Sequence, residues 1–255
     1  MLFIGPEAER RYGRKNFLDL LSVFTANPEF LVLHGRTELG SVDPLVLTRK
    51  VDGPRVVVLA GRSWTVTYVD WRRRRCFVEP AEARARMRWS GLAAPLSFEV
   101  CRAQREVLLG TDPDVTLSRR AVAALATLRS ERAGTATAGG TVVRRDGDVW
   151  WWTWAGARAN ATLAAALPSV VDPRSRYDNL RLRLRADLAL AALRAAADEA
   201  KHADALPEVT DEATRGLKFA DVLPAELARR AVAARLADSA STRRVLAEPV
   251  RFDTA

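Results

Sequence analysis

The chain has 255 residues, of which 48% are hydrophobic and 28% are charged, a balance typical of a folded globular protein and not of a disordered one. Its net charge is +9, which favours a polyanionic partner, with nucleic acid first and an anionic membrane surface second. Heavy use of Arg and Ala with few Lys is also what a GC-rich coding sequence would give, so charge alone leaves the partner open.

In chain order, the first half predicts a helix and then a series of short strands. Apolar spacing predicts a helix over 13–26. Strands and their turns follow up to Pro80, and among them the run RVVVLA is apolar enough to be buried on both faces or to line a barrel. The expected strands are 30–34, 37–42, 55–60, 64–70, 76–79 and an edge strand at 84–89.

The second half alternates helices and strands. Ser97 is the expected N-cap of a helix over 97–109, with Val100, Gln104 and Val107 on one face. The other expected helices are 117–132, 157–167, 187–203, 209–216 and 223–237, and the strands are 141–145, 148–154, 180–185 and 247–252.

These elements predict an α+β fold, with a small antiparallel β-barrel in the N-terminal half followed by a mixed α/β C-terminal half. The expected parts are 1–110 and 111–255, with a boundary or flexible loop in the small-residue stretch 133–140. The positive surplus lies mainly in residues 1–110, so the barrel half is the expected binding half.

Several chemistries lack their signature. The chain has no GxxxxGK[ST] phosphate loop, no DEAD-like acidic box, no HExxH and no GxSxG. Its two cysteines, Cys76 and Cys101, and its two histidines are far apart, so we expect buried thiols and no zinc site. No catalytic or metal-binding residue is therefore assigned. The six-residue apolar start is too short for a signal peptide or a membrane span, and we expect a cytoplasmic protein without a membrane partner.

The strongest binding motif is WRRRR. Trp71 and the consecutive Arg72, Arg73, Arg74 and Arg75 fall at a predicted hairpin tip, where guanidinium groups match phosphate oxygens. The alternative is a solvated tip without a ligand. Further candidates are basic residues that would extend the same surface, namely Arg14, Lys15, Arg62, Arg84, Arg86 and Arg88.

Trp64 follows Gly61-Arg62-Ser63 at the start of a strand. A tryptophan there is either a stacking platform for an unpaired base or a plug in the barrel core, and the sequence slightly favours the core. In the run WWTW, Trp150, Trp152 and Trp154 should share one strand face and Trp151 the other, which favours a structural aromatic strand. The alternating Arg181, Arg183 and Arg185 predict a basic strand face, exposed or binding.

Four segments together resemble one helicase family. IGPEAERRYG, HGRTELGSVDP, DGPRVVVLAGRSWTVTYVD and WRRRRCFVEP resemble the region that follows the motor and winged-helix domains in Lhr-type (large helicase-related) superfamily 2 DEAD/DEAH helicases. The later WWTWAGARANATLAAAL and NLRLRLRADL are similar to the continuation of that region, so the resemblance covers about residues 1–250.

The resemblance implies an accessory domain that contacts the tracked single strand of an ATP-dependent DNA or RNA–DNA helicase associated with repair. It implies that ATP and Mg²⁺ belong to motor domains outside this chain, present in cis or in trans, and that the chain is a truncated or split product. It also implies that Trp64 contacts the strand. Two alternatives stay open: a glycosylase-like base-excision module, although the paired-Gln motif is absent, and a protein docking module for a separately encoded motor.

Overall fold

The computed structural model describes residues 5–12, 29–48, 51, 53–81, 94–174, 177–217, 220 and 223–254. The fold is α+β, as the sequence predicts, with one β-sheet in each half of the chain. The predicted helix over 13–26 and the predicted edge strand over 84–89 lie outside the described residues. A short helix that the sequence did not predict, α1 (Pro6–Tyr12), precedes the first sheet.

The first sheet is a curled half-barrel of five strands in the order β2-β1-β5-β4-β3. Hairpin pairs are antiparallel, whereas β1 and β5 pair in parallel. The curl brings the two edge strands close together. A methyl group added at Gly40 on one edge strand would lie 3.7 Å from Cδ2 of Leu59 on the other. The strands are β1 (Phe30–His34), β2 (Thr37–Val42), β3 (Val56–Leu59), β4 (Arg62–Asp70) and β5 (Arg75–Pro80).

Apolar side chains fill the concave side of the half-barrel, and the short helix α2 (Pro44–Thr48) packs its buried Leu45 and Leu47 against them. Of the two interpretations of the RVVVLA run, burial on both faces is wrong, and β3 instead lines the half-barrel with one face. Val57 is 1% exposed but its neighbour Val58 is 40% exposed. The reason is position: β3 is an edge strand of the sheet, and only its concave side meets the core.

Two serine-capped helices, α3 (Phe98–Leu108) and α4 (Arg119–Glu131), follow the half-barrel. The hydroxyl of Ser97 accepts a hydrogen bond from the Val100 amide, which confirms the predicted cap. The face that carries Val100, Gln104 and Val107 is not the buried face of α3: Phe98, Cys101 and Arg105 are buried, whereas Val100 is 45% exposed. Arg105 donates to the Gly140 carbonyl at 2.9 Å, which turns this polar residue inward.

The second sheet has four strands in the order β8-β7-β6-β9, in which only β6 and β9 are parallel. In the second half of the chain the sequence did not predict helix α9, and the last strand begins at Val250 instead of 247. The strands are β6 (Thr141–Asp146), β7 (Asp148–Trp152), β8 (Arg181–Leu184) and β9 (Val250–Thr254), and the helices are α5 (Ala157–Ala166), α6 (Leu190–Ala200), α7 (Asp211–Thr214), α8 (Ala225–Leu236) and α9 (Ser239–Ala247).

Strand β7 and the residues after it place tryptophans on both faces of the second sheet, as the alternation predicts. Trp151 is fully buried in the main core, where its Nε1 donates to the Thr141 hydroxyl at 2.8 Å. Trp152 and Trp154 pack on the opposite face, with ring centroids 6.0 Å apart. Both faces are therefore core, and these rings serve packing.

The two halves are joined by buried polar contacts. Arg158 of α5 pairs with Asp43, which precedes α2, at 2.7 Å and also donates to the Arg235 carbonyl of α8. The Asn179 side chain accepts from the amides of Leu96 and Ala157. These contacts fix the half-barrel, α5 and α8 relative to one another.

Both thiols are buried and unpaired, as expected. Burial raises the pKa of Cys76 and of Cys101 to about 11, so neither is an activated nucleophile at neutral pH. Within the described part of the chain, no helix has the length and apolar character needed to cross a membrane.

Replacing Arg158 with Ala should lower the free energy of unfolding by about 3 kcal/mol, because it leaves the largely buried Asp43 carboxylate without its partner. Urea denaturation measures this change. The matched control is Arg230→Ala, which removes the exposed pair with Asp204 and should change stability by less than about 1 kcal/mol. Equal effects of the two substitutions would contradict the joining role of Arg158.

Candidate nucleic-acid interface

The turn between β4 and β5 carries the arginine run at its tip, as predicted. Asp70 and Arg75 form the last pair of the hairpin, and the Asp70 carboxylate accepts a hydrogen bond from the Arg73 amide at 2.9 Å. Arg74 adopts a positive φ of 53°, a conformation that closes tight turns. We call Arg72–Arg75 the arginine tip.

All four side chains of the arginine tip are exposed. Among the described residues, only Arg73 has an acidic partner, Asp70, at 3.8 Å, and both the distance and the exposure make this a weak pair. The guanidinium groups of Arg72, Arg74 and Arg75 have no ion-pair partner in the described ranges. The tip thus presents uncompensated positive charge within a single turn.

Trp71 anchors this turn and is not part of its exposed surface. Its side chain is 8% exposed and meets Phe30 of β1 edge to face, with ring centroids 5.0 Å apart. Such aromatic pairs stabilise by about 0.5–1.5 kcal/mol beyond the area they bury. Trp71 is therefore a packing residue at the base of the arginine tip, and its buried ring is not available as a contact surface.

Trp64 lies inside the half-barrel. It is 6% exposed, its Nε1 donates to the Leu59 carbonyl at 3.2 Å, and its ring lies 5.3 Å from that of His34. Stacking on a base needs an accessible ring face. The burial favours the core interpretation of Trp64 over the strand contact that the resemblance implies.

Of the other predicted basic residues, the structure describes Arg62, which lies away from the tip. Arg62 is exposed but stands at the opposite end of β4 from Asp70, about 26 Å away at about 3.3 Å per residue. The five further candidates, Arg14, Lys15, Arg84, Arg86 and Arg88, lie outside the described residues. The described part of the predicted site therefore reduces to the arginine tip.

The predicted basic face of β8 is neutralised. Arg183 pairs with Asp148 at 2.7 Å and with Asp172 at 3.2 Å. Arg181 lies 4.0 Å from the Trp150 ring centroid and pairs with Asp178. These arginines pack the second sheet and add no free charge to a binding surface.

An aromatic pair, which the sequence did not predict, lies next to the arginine tip; Tyr68 is exposed and Phe77 is half-buried. Tyr68 of β4 is 61% exposed and stands opposite Phe77 of β5, with ring centroids 6.0 Å apart at an interplanar angle of 28°. Strict alternation would place Tyr68 on the concave side with Trp64 and Val66. A bulge between Val66 and Tyr68 turns the Tyr68 side chain outward. The alternation of apolar and polar residues in the sequence does not reveal this bulge.

Phe77 and Arg75 lie two residues apart on β5, so their side chains share the convex face at a spacing of about 7 Å. We call Tyr68, Phe77 and Arg75 the convex platform. It combines an exposed ring with a free guanidinium group on a rigid hairpin. Such a surface suits a ligand that has both flat apolar groups and negative charge.

The described residues contain no group of three or more His, Cys, Asp or Glu side chains that could hold a metal ion. In comparisons with known proteins, no family model, no curated protein and no solved structure matches the chain. The interface is therefore defined by its own geometry and charge.

Two substitutions test whether Trp64 is a core residue and Tyr68 a surface residue. Trp64→Ala should lower the free energy of unfolding by about 3–5 kcal/mol, since it opens a cavity inside the half-barrel. Tyr68→Ala should cost less than about 1 kcal/mol, since it removes only a surface cross-strand pair. Urea denaturation of both variants measures the difference, and a Tyr68→Ala chain as unstable as Trp64→Ala would contradict the assignment.

Proposed function

We propose that this chain is a nucleic-acid-binding module that holds a single strand on the β4–β5 hairpin. The observation that carries the proposal is that the free arginines of the tip and the exposed Tyr68, paired with the half-buried Phe77, lie on one hairpin, with Arg75 common to the tip and the platform. The net charge of +9 supports the same class of partner.

Each component supplies one part of the recognition. Guanidinium forks of the arginine tip match phosphate oxygens, and each neutralised phosphate releases counterions. A base stacked on Tyr68 gains about 1–3 kcal/mol. Bases in a duplex are already stacked on their neighbours, so the aromatic contribution favours a single strand.

The wider role that we propose is accessory. The four segments that resemble Lhr-type helicases support an assignment as a part that contacts the tracked strand of single-stranded DNA or an RNA–DNA hybrid, beside a motor present in cis or in trans. The chain has no phosphate loop, so ATP and Mg²⁺ would be bound by the motor, and unwinding, repair and a cytoplasmic location would belong to the assembly.

The salt dependence of binding tests the arginine tip. Replacing Arg72, Arg73 and Arg75 with Ala should reduce the slope of log K against log salt concentration by about 2 for oligothymidine, at about 0.7 per phosphate contact on a single strand. Fluorescence anisotropy at several salt concentrations measures the slope. Arg74 is retained because of its positive φ.

The control for this experiment is Arg119→Ala with Arg120→Ala, which removes exposed arginines from the start of α4. This variant should keep the slope of the unchanged chain. A slope that is the same in the tip variant and the unchanged chain would show that phosphates do not lie on the tip.

Replacing Tyr68 with Ala should weaken oligothymidine binding roughly 5- to 150-fold, the equivalent of losing one stacked base, and should leave the weaker duplex binding unchanged. Tyr68→Phe keeps the ring and should keep the affinity. The control is Val58→Ala, which shortens another exposed side chain of the same sheet. Equal losses on single strand and duplex would argue against stacking.

A further inference from the structure

The outer edge of β9 in the second sheet is open. This strand stands last in the strand order and pairs on its inner side with β6. The opposite edge strand, β8, is covered by the chain itself, because the amides of Asp172 and Asp178 donate to carbonyls of β8 at 3.1 and 3.0 Å. No described residue makes such a bond to the outer side of β9. An open edge of this kind is a template for pairing with another strand.

The ladder with β6 decides which backbone groups of β9 face outward. The Thr141 amide of β6 donates to the Pro249 carbonyl at 3.0 Å. Alternate residues of a strand turn their amide and carbonyl groups to opposite edges. Every second residue after Pro249 therefore bonds to β6, and the residues between them offer an amide and a carbonyl to the outer side. These outward residues are Val250, Phe252 and Thr254.

Opposite charges stand on either side of Phe252. Arg251 is exposed and Asp253 is half-buried, and both lie on the face of the sheet opposite to Phe252, which packs partly against the main core. Neither charge has an ion-pair partner among the described residues. Arg144, the neighbour of Asp253 on β6, donates to the Ala133 carbonyl instead. The edge therefore carries one free positive and one free negative side chain.

We propose that β9 pairs with β9 of a second copy of this chain, antiparallel about a two-fold axis at Phe252, so that the two sheets become continuous. In this register the outward residues of the two copies exchange their backbone hydrogen bonds. Arg251 of each copy stands opposite Asp253 of the other, with Cβ atoms about 4.5–5.5 Å apart, which is within reach of an ion pair. The two Phe252 rings meet on the core face and cover the part of each ring that is exposed in one copy alone.

Charge selects this register over its neighbours. A shift by one residue turns inward-bonded groups toward the partner, so the next possible registers differ by two residues. One of them sets Arg251 opposite Arg251, and the other sets Asp253 opposite Asp253. Like charges directly opposite each other destabilise a strand pair. Charges that merely keep an edge unpaired can have either sign, whereas a second copy requires opposite signs on the two sides of Phe252.

Sedimentation velocity tests the pairing, over a roughly hundredfold range of protein concentration and at about 0.15 M salt, which screens the general repulsion between two copies. The unchanged chain should form a dimer as its concentration rises. Arg251→Asp alone, or Asp253→Arg alone, sets like charges opposite each other and should weaken association at least roughly tenfold. An equimolar mixture of these two variants restores both ion pairs and should associate about as tightly as the unchanged chain.

The matched control is Arg119→Asp, which makes the same change in net charge at an exposed arginine of α4. It should dimerise as the unchanged chain does. A chain that stays monomeric over the whole range, single variants that associate as tightly as the unchanged chain, or a mixture that associates no more tightly than its components would each overturn the proposal.

Amide hydrogen exchange in the unchanged chain locates the contact and does not depend on the folding of any variant. The amides of Val250 and Phe252 should gain protection as the concentration rises, because they face the partner strand. The amides of Arg251 and Asp253 already face β6 and should keep the protection that they have at low concentration. A dimer that forms without added protection at Val250 and Phe252 uses another surface and would contradict the proposal.

Discussion

The insertion of Trp71 beside Phe30 is the contact on which the candidate interface depends. Four consecutive arginines in one turn repel one another, and a free hairpin would relieve that repulsion by fraying. Here Trp71 is 8% exposed and packs edge to face against β1, while Asp70 caps the turn through the Arg73 amide. The two residues hold the charges in place, so the tip presents a positive surface that is already ordered.

The same buried tryptophan connects the tip to the rest of the molecule. Its backbone carbonyl would lie 3.3 Å from a Cβ added at Gly216, and its side chain lines the cleft between the halves. The pairing of Arg158 with Asp43 fixes the opposite wall of that cleft. Trp71, which stabilises the turn, thus also lines the space between the turn and helices α7 and α8.

Most strands and helices could be predicted because their patterns are local. Turn residues such as Gly35 and Gly147, together with short apolar runs, locate the strands on either side, and Ser97 marks a helix start. α9 was missed because its buried residues include Ser241 and Thr242 beside Val245 and Leu246, so no apolar stripe marks it. The parallel pairing of β1 with β5 joins distant segments and has no local signal.

The residues of the candidate site likewise divide into those that the sequence located and those that it missed. The arginine tip is a contiguous run at a predictable turn, so sequence located it. Tyr68 was missed because a single bulge reverses the face of the strand. Trp64 is the opposite case. The resemblance implies that it contacts the nucleic-acid strand, whereas the fold buries its ring. Whether an aromatic residue binds or packs depends on strand register, which composition and spacing do not determine.

The most direct test of the account is a map of amide chemical shifts in the isotope-labelled chain on addition of oligothymidine at low salt. The account predicts that the largest changes fall on Tyr68, Phe77 and Arg72–Arg75, at one end of the β4–β5 hairpin. Changes centred instead on Arg62 at the other end of β4, or spread evenly over basic residues, would contradict it.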